Sequence, residues 1–283
     1  MDLPLSEVQS IVSRALTEDL GWGDITTDSL IAPDWQASGQ ALAKEPGVLA
    51  GIQVMALVFT TVDPSVRFAA LKKDGEAFAR GDVLATVSGP ARSLLGAERV
   101  ALNFVQRLSG IATETSRYVE AVKGLPVRIV ETRKTTPGLR LLEKYAVRVG
   151  GGHNHRQNLS DGVLIKDNHL AACKAAGLNL AGVIERARQN VSHMVRIEVE
   201  VESVAEAIEA AEARADVIML DNMSNAEMRL AVEAIAHRAQ VEASGGVRLD
   251  TVRAIAETGV DLISVGALTH SVKALDISLD FTV

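Results

Sequence analysis

Cysteine is nearly absent. Cys173 stands alone in 283 residues, so no internal disulfide can form, and a reducing cytosol is the simplest setting. Its apolar neighbours point to a packed thiol rather than a nucleophile. Basic charge is also short: 29 Lys and Arg against 36 Asp and Glu leave a net −7. That excludes the broad basic face needed for nucleic acid or an anionic membrane. Long apolar runs are missing. The longest, VLAGIQVMALVF (Val48–Phe59), falls well below the roughly 20 residues of a membrane span and reads as a core helix. MDLPLSEVQS carries Asp2 and no basic or long apolar stretch, so no secretory signal is expected. No His-Glu-x-x-His occurs, and no strand leads into Gly-x-Gly-x-x-Gly, which disfavours a dinucleotide fold.

What is present is an ordinary globular composition, 47% hydrophobic and 23% charged, enough for one large α/β domain or two smaller ones. LSEVQSIVSRALTEDLG has helical spacing closed by Gly21. GWGDITTDSL reads as a turn-rich linker, and the stretches QASGQALAKEPGVLAG and VRFAALKKDGEAFARGDVLATVSGP as short strands broken by Gly and Pro. A long helix is predicted over Ser93–Val122, at the passage between two domains. From residue 127 onward six β-branched runs appear: VRIVETRK, GVLIKDN, VRIEVEV, DVIMLDN, QVEASGG and DLISVGA. Amphipathic helices separate the later ones. Such alternation implies a parallel sheet covered by helices, and six strands of this kind favour an α/β barrel.

Polar residues gather at the trailing ends of these runs, the rim where ligands bind in parallel barrels. Thr132, Arg133 and Lys134 end the first, Lys166 the second, Asp221 and Asn222 the fourth, and Ser244, Gly245 and Gly246 the fifth; Gly266 follows the sixth. Half of the histidines (His153, His155, His169) lie within GGHNHRQNLSDGVLIKDNH. Residues 128–169 hold eight Lys/Arg against four acids, a balance of 8 − 4 = +4 in an acidic chain. A small polyanion fits such a pocket. The His-x-His pair with His169 also permits zinc, weakly, since no cysteine lies nearby. Lys166 has three readings: a barrel-mouth lysine without a role, a Schiff-base lysine, or a fixed cation, which Arg133 and Arg156 favour. Glu198, Glu200 and Glu202 share one strand face. Glu200 with Asp221 suits Mg²⁺ and phosphate co-ligands, while a charged barrel exterior is a serious alternative for Glu198 and Glu202. The glycines of EASGG and SVGA allow backbone N–H groups to approach a phosphate.

Taken in order, EDLGWGDITT, LNFVQRLSGIAT, TRKTTPGLR, GGHNHRQNLSDGVLIKDNH, EVEV, LDN, ASGG and SVGALTHS resemble the quinolinate phosphoribosyltransferase family over nearly the whole chain. The resemblance implies an N-terminal α/β sandwich (residues 1–112, with tail 270–283 packing back on it) and an incomplete, open α/β barrel (113–269). It implies a cytoplasmic homodimer whose active site is shared between subunits. It implies phosphoribosyl transfer from phosphoribosyl pyrophosphate to quinolinate with Mg²⁺, releasing pyrophosphate and CO₂ and forming nicotinate mononucleotide for NAD synthesis. By the same resemblance Arg133, His155, Arg156 and Lys166 form the quinolinate cage and Arg107 reaches in from the neighbouring subunit. Thr132 and Lys134 would bind substrate, with Lys134 on the pyrophosphate-bearing one. Lys166, Glu200 and Asp221 would carry catalysis, the two carboxylates on the ribose and metal side. Ser244, Gly245, Gly246 and Gly266 would cradle the 5′-phosphate. The nearest rival is a same-fold paralogue associated with molybdenum transport and acting on another substrate; other classes are a Schiff-base aldolase or a simple anion binder.

Overall fold

In a computed structural model of the chain, residues 3–282 are described; Asp2 lies outside them. The chain divides into two compact units. One holds the residues up to Ser116, Thr135–Gly151 and those from Leu268; the other holds Arg117–Lys134 and Gly152–Ala267.

The first unit opens with α1 (Leu5–Leu20) and α2 (Ile25–Leu30). Val8, Ile11, Val12 and Leu16 form the buried stripe of α1, the 3.6-residue spacing of an amphipathic helix. The segment read as a linker contains α2, because Asp24 caps it by accepting from the Thr27 backbone N–H at 3.0 Å. Then come β1 (Gln36–Ala43), β2 (Gly47–Val48), α3 (Ile52–Val62), β3 (Arg67–Ala70), β4 (Ala77–Phe78), β5 (Val83–Pro90) and the long α4 (Ala91–Ala121). The apolar run at Val48–Phe59 is largely α3, with Val54, Met55, Val58 and Phe59 at 0–1% exposure. The position 112/113 falls inside α4.

The second unit starts with β6 (Arg128–Val130); α5 (Arg140–Val149) belongs to the first. Next follow β7 (Val163–Ile165), α6 (Asp167–Ala175), α7 (Leu180–Asn190), β8 (Ile197–Val201), α8 (Val204–Glu212), β9 (Val217–Asp221), α9 (Asn225–Ile235), β10 (Gln240–Ser244), α10 (Val252–Ala256) and β11 (Leu262–Ser264); α11 (Ala267–His270), from Leu268, and β12 (Ile277–Thr282) belong to the first unit. The order β6-β11-β10-β9-β8-β7 forms one parallel sheet. Its edge strands are β6 and β7, so the barrel is open between them. Four of the five residues of β8 and of β9 are buried, as expected where a parallel sheet is covered on both faces. Ser203 and Ser224 cap α8 and α9, and Glu227 completes a capping box.

β12 returns to the first unit and pairs antiparallel with β1 from Ser38↔Thr282 to Ala43↔Ile277, in the order β12-β1-β5-β3. Gly110 permits the close passage of the tail over α4: a Cβ there would lie 2.2 Å from the Lys273 carbonyl oxygen. Cys173 is half-buried on α6, a helix with no buried residue, and is not the packed thiol expected from its neighbours. Among the described residues no helix is long and apolar enough to cross a membrane.

Candidate active site

The strand ends of the second unit surround a cavity of about 570 Å³. Thr132, Arg133 and Lys134 enter from β6, Lys166 from β7, Glu200 from β8, Asp221 and Asn222 from β9, and Ser244, Gly245 and Gly246 from β10. His155 and Arg156 arrive from the loop ahead of β7. Gly266, half-buried just before α11, does not line this cavity. Arg107 sits on α4 in the first unit. Its guanidinium donates to the buried Glu143 carboxylate, with Nε at 2.8 Å, to Thr136 Oγ1 at 2.7 Å and to the Thr269 carbonyl at 3.1 Å.

The HNHR segment closes the gap in the barrel. The His153 N–H donates to the Ile129 carbonyl at 2.8 Å, and His153 bridges Val130 in parallel fashion. Arg156 Nη1 donates to the carbonyl of Gly162, the residue before β7, at 2.9 Å. The fully buried Glu131 ties down what lies between, accepting from Asn154 Nδ2 at 2.8 Å and from the His155 N–H at 3.1 Å. One four-residue stretch therefore staples two edge strands and delivers two side chains to the cavity.

Lys166 Nζ lies 2.5 Å from Glu200 Oε2, and its side chain is 44% exposed. An ammonium held by a carboxylate is unlike the desolvated amine of Schiff-base chemistry; it suits a fixed cation. Burial, then the neighbouring Arg133, holds the Arg156 guanidinium below its usual pKa, the situation of cations gathered to await an anion. At the ends of β9 and β10, Asn222 adopts a left-handed backbone with φ 53°. Its N–H donates to the Ser244 carbonyl at 3.0 Å, and its Nδ2 to Asp221 Oδ2 at 2.7 Å. Gly245 has φ +90°, and a Cβ there would stand 2.2 Å from Asn222 Oδ1. Only glycine fits this rim.

Beneath lies a cluster that the sequence reading did not assemble. His155 Nε2 is 3.2 Å from Glu198 Oε2 and 3.6 Å from Glu242 Oε2. Glu198 therefore points into the barrel and is buried, which removes the exterior alternative for it; Glu202 is exposed. Glu242 was missed; its one signal was the period of two, since it stands two residues before Ser244 on the same face. Burial, reinforced by the charge of Glu198, raises the Glu242 carboxyl to about 7. Glu198 Oε1 and Glu242 Oε1 have no hydrogen-bond partner.

Among the described residues this is the one trio of potential ligands close enough to share a metal ion. The imidazole argues against a metal. Its Nδ1 accepts the Arg156 backbone N–H at 2.7 Å, so the neutral ring carries its proton on Nε2. A metal-bound histidine has the reverse arrangement, donating from the nitrogen that does not bind the ion. The His153, His155 and His169 grouping is not assembled either. His153 is exposed and His169 Nδ1 accepts from the Lys166 N–H at 3.0 Å. For Mg²⁺, Asp221 and Glu200 supply the hard oxygen donors and low ligand count that this ion uses beside substrate phosphates. They fit, with Asp221 the less encumbered of the two.

An open parallel α/β barrel with four cations and two carboxylates around its mouth defines an enzyme that handles small, multiply anionic substrates. The sequence matches the models of "Quinolinate phosphoribosyl transferase, N-terminal domain" over residues 24–109 and "Quinolinate phosphoribosyl transferase, C-terminal domain" over 111–280. The chain belongs to the quinolinate phosphoribosyltransferase family. It is 45% identical to the "Probable nicotinate-nucleotide pyrophosphorylase [carboxylating]" of Bacillus subtilis (strain 168), covering 98% of this chain and 94% of that one. It is 44% identical to the chloroplastic "Nicotinate-nucleotide pyrophosphorylase [carboxylating]" of Arabidopsis thaliana, over 98% and 83%. Among solved structures, NadC from Streptococcus pyogenes superposes with a TM-score of 0.95 at 45% identity, covering 100% and 99%. The Ehrlichia chaffeensis nicotinate-nucleotide pyrophosphorylase gives 0.93 at 41%, covering both chains fully.

Proposed function

We propose that this enzyme transfers phosphoribosyl from phosphoribosyl pyrophosphate to quinolinate and releases the 2-carboxylate as CO₂. The products are nicotinate mononucleotide and pyrophosphate, in NAD biosynthesis. The observation that carries this reading is the gathering of Arg133, Lys134, Arg156 and Lys166 around one cavity of an acidic chain. The names of the relatives agree with it and do not favour the molybdenum-transport alternative.

Arg133 and Arg156 present forks that match carboxylate oxygens in pairs, and Lys166 adds a point charge. His155 acts on this cage indirectly, since its ring nitrogens face the Arg156 N–H and Glu198. Lys134, exposed at the rim, meets the pyrophosphate. Gly245 and Gly246, with Ser244, cradle the 5′-phosphate through backbone N–H groups. Glu200 and Asp221 stand by the ribose, where their charge stabilises positive character at C1 as pyrophosphate departs. Asp221, with Glu200, would hold Mg²⁺, which when bound supplies charge neutralisation to the pyrophosphate. The pyridine nitrogen attacks C1 and becomes quaternary. The ring then accepts the electron pair left by the departing carboxylate, and no enzyme nucleophile takes part. Positioning by the cage supplies much of the rate.

The enzyme acts as a cytoplasmic homodimer in which Arg107 of one subunit completes the cage of the other. Arg156→Ala and Lys166→Ala test the cage. Each is expected to lower kcat/KM for quinolinate about a hundredfold or more. Wild-type turnover in both would refute this reading.

A further inference from the structure

Two cavities meet at Glu242. The upper one is the substrate cavity. The lower one, about 430 Å³, lies at the leading ends of the strands, among Arg128, Val217, Gln240 and Leu262, and opens past Met194, which is 78% exposed. His155, Arg156 and Glu242 line both. Barrel interiors are ordinarily filled by apolar layers. Here the partition is a carboxyl 1% exposed, with a second buried carboxyl and an imidazole beside it.

The reaction needs something that the cage does not provide. When the C2–carboxylate bond breaks, CO₂ leaves and the electron pair stays on the ring carbon. That carbon must gain a proton before product can form. Lys166, paired with Glu200, serves the cage as a fixed charge, and the guanidinium groups keep their protons. We propose that Glu242 is the acid that protonates the vacated ring carbon and that it regains its proton from solvent through the lower cavity, beside His155 and Glu198. The Glu242 O–H bond breaks with its pair left on the carboxylate, and the C–H bond forms at C2. One solvent proton then restores the acid, so each turnover consumes one proton. The groups facing Glu242 are Glu198 on β8, His155 and Arg156 on the staple, Lys166 after β7 and Ser264 on β11. Burial, then Glu198, keep the proton on Glu242 up to about pH 7, whereas the Ser264 hydroxyl and Lys166 oppose this. Glu242 Oε1 is buried and has no hydrogen-bond partner, so no other group claims the proton carried there.

This inference rests on the phosphoribosyl-transfer reading. Its test compares the wild type with Glu242→Gln, which keeps the shape and removes the acid, in the presence of quinolinate, phosphoribosyl pyrophosphate and Mg²⁺. A general acid contributes at least about a hundredfold, so kcat of the variant is expected to fall by that factor while KM for quinolinate stays within about threefold. With protonation slowed, CO₂ recombines with the ring. Label from ¹³C-bicarbonate then enters the quinolinate pool with Glu242→Gln and not with the wild type. Wild-type kcat is expected to fall as pH rises through about 7. Glu198→Gln, which removes the neighbouring charge, moves that fall to lower pH. If Glu242→Gln fails to fold, these two pH profiles decide. A Glu242→Gln kcat within threefold of wild type, or a wild-type kcat that does not fall across that range, overturns the proposal. Absence of CO₂ release from quinolinate by the wild type overturns the transfer reading itself.

Discussion

At Glu242 one proton couples folding to pH. Its carboxyl titrates near 7 in the folded chain and near 4.3 in an unfolded one. Between these values the folded state binds more protons, so its stability falls as pH rises. The difference corresponds to about 4 kcal/mol, present below the lower value and lost above the upper. Urea midpoints of the wild type are expected to drop across this window relative to those of Glu242→Gln; parallel profiles would show that the carboxyl is not perturbed. Gly245→Ala forces a Cβ against Asn222 at a positive φ. It should raise KM for phosphoribosyl pyrophosphate and cost about 1–3 kcal/mol of stability, both measurable on the purified variant. The residues of this site were legible in unequal measure. Arg133, Lys134, Lys166 and Asp221 announced themselves as polar groups at strand ends. Glu198 and Glu242 sit mid-strand, where a charge reads as exterior unless its partner is known. That partner, His155, comes from a loop whose path periodicity does not encode.

At the scale of elements, the HNHR staple replaces strand pairing between β6 and β7. Asn154→Ala would remove one donor from the buried Glu131. The expected loss is about 1–3 kcal/mol, with faster hydrogen exchange at the His153 amide, which bonds the Ile129 carbonyl, than elsewhere in the sheet. Uniform exchange would show that this bond does not depend on Asn154. Continuous β-branched runs and serine-capped helices made the β8–β11 region readable, because local propensity and burial agree there. The linker reading failed at α2, where Asp24 caps a helix too short to show a period. Register depends on pairings distant in sequence and was not legible; the open barrel came from the family resemblance and not from periodicity.

For the whole molecule, the proposed sharing of the site between subunits would make two inactive variants complementary. Arg107→Ala and Lys166→Ala, mixed and allowed to exchange subunits, should regain about a quarter of wild-type activity, since half the dimers would carry one intact site. No recovery would place Arg107 in a role within its own subunit. The two-domain plan was visible in the change of pattern at residue 127. The detour of Thr135–Gly151 into the first unit was not, since α5 repeats the helical pattern of its barrel neighbours.

The central claim is that the cation-lined mouth reads two carboxylates and loses one. Equal amounts of quinolinate labelled in its 2-carboxylate and of unlabelled nicotinate, offered together with phosphoribosyl pyrophosphate and Mg²⁺, test it in one vessel. Labelled CO₂ equal to the nicotinate mononucleotide formed, with nicotinate unconsumed, is the predicted result. Mononucleotide formed without labelled CO₂, or no product at all, would contradict it.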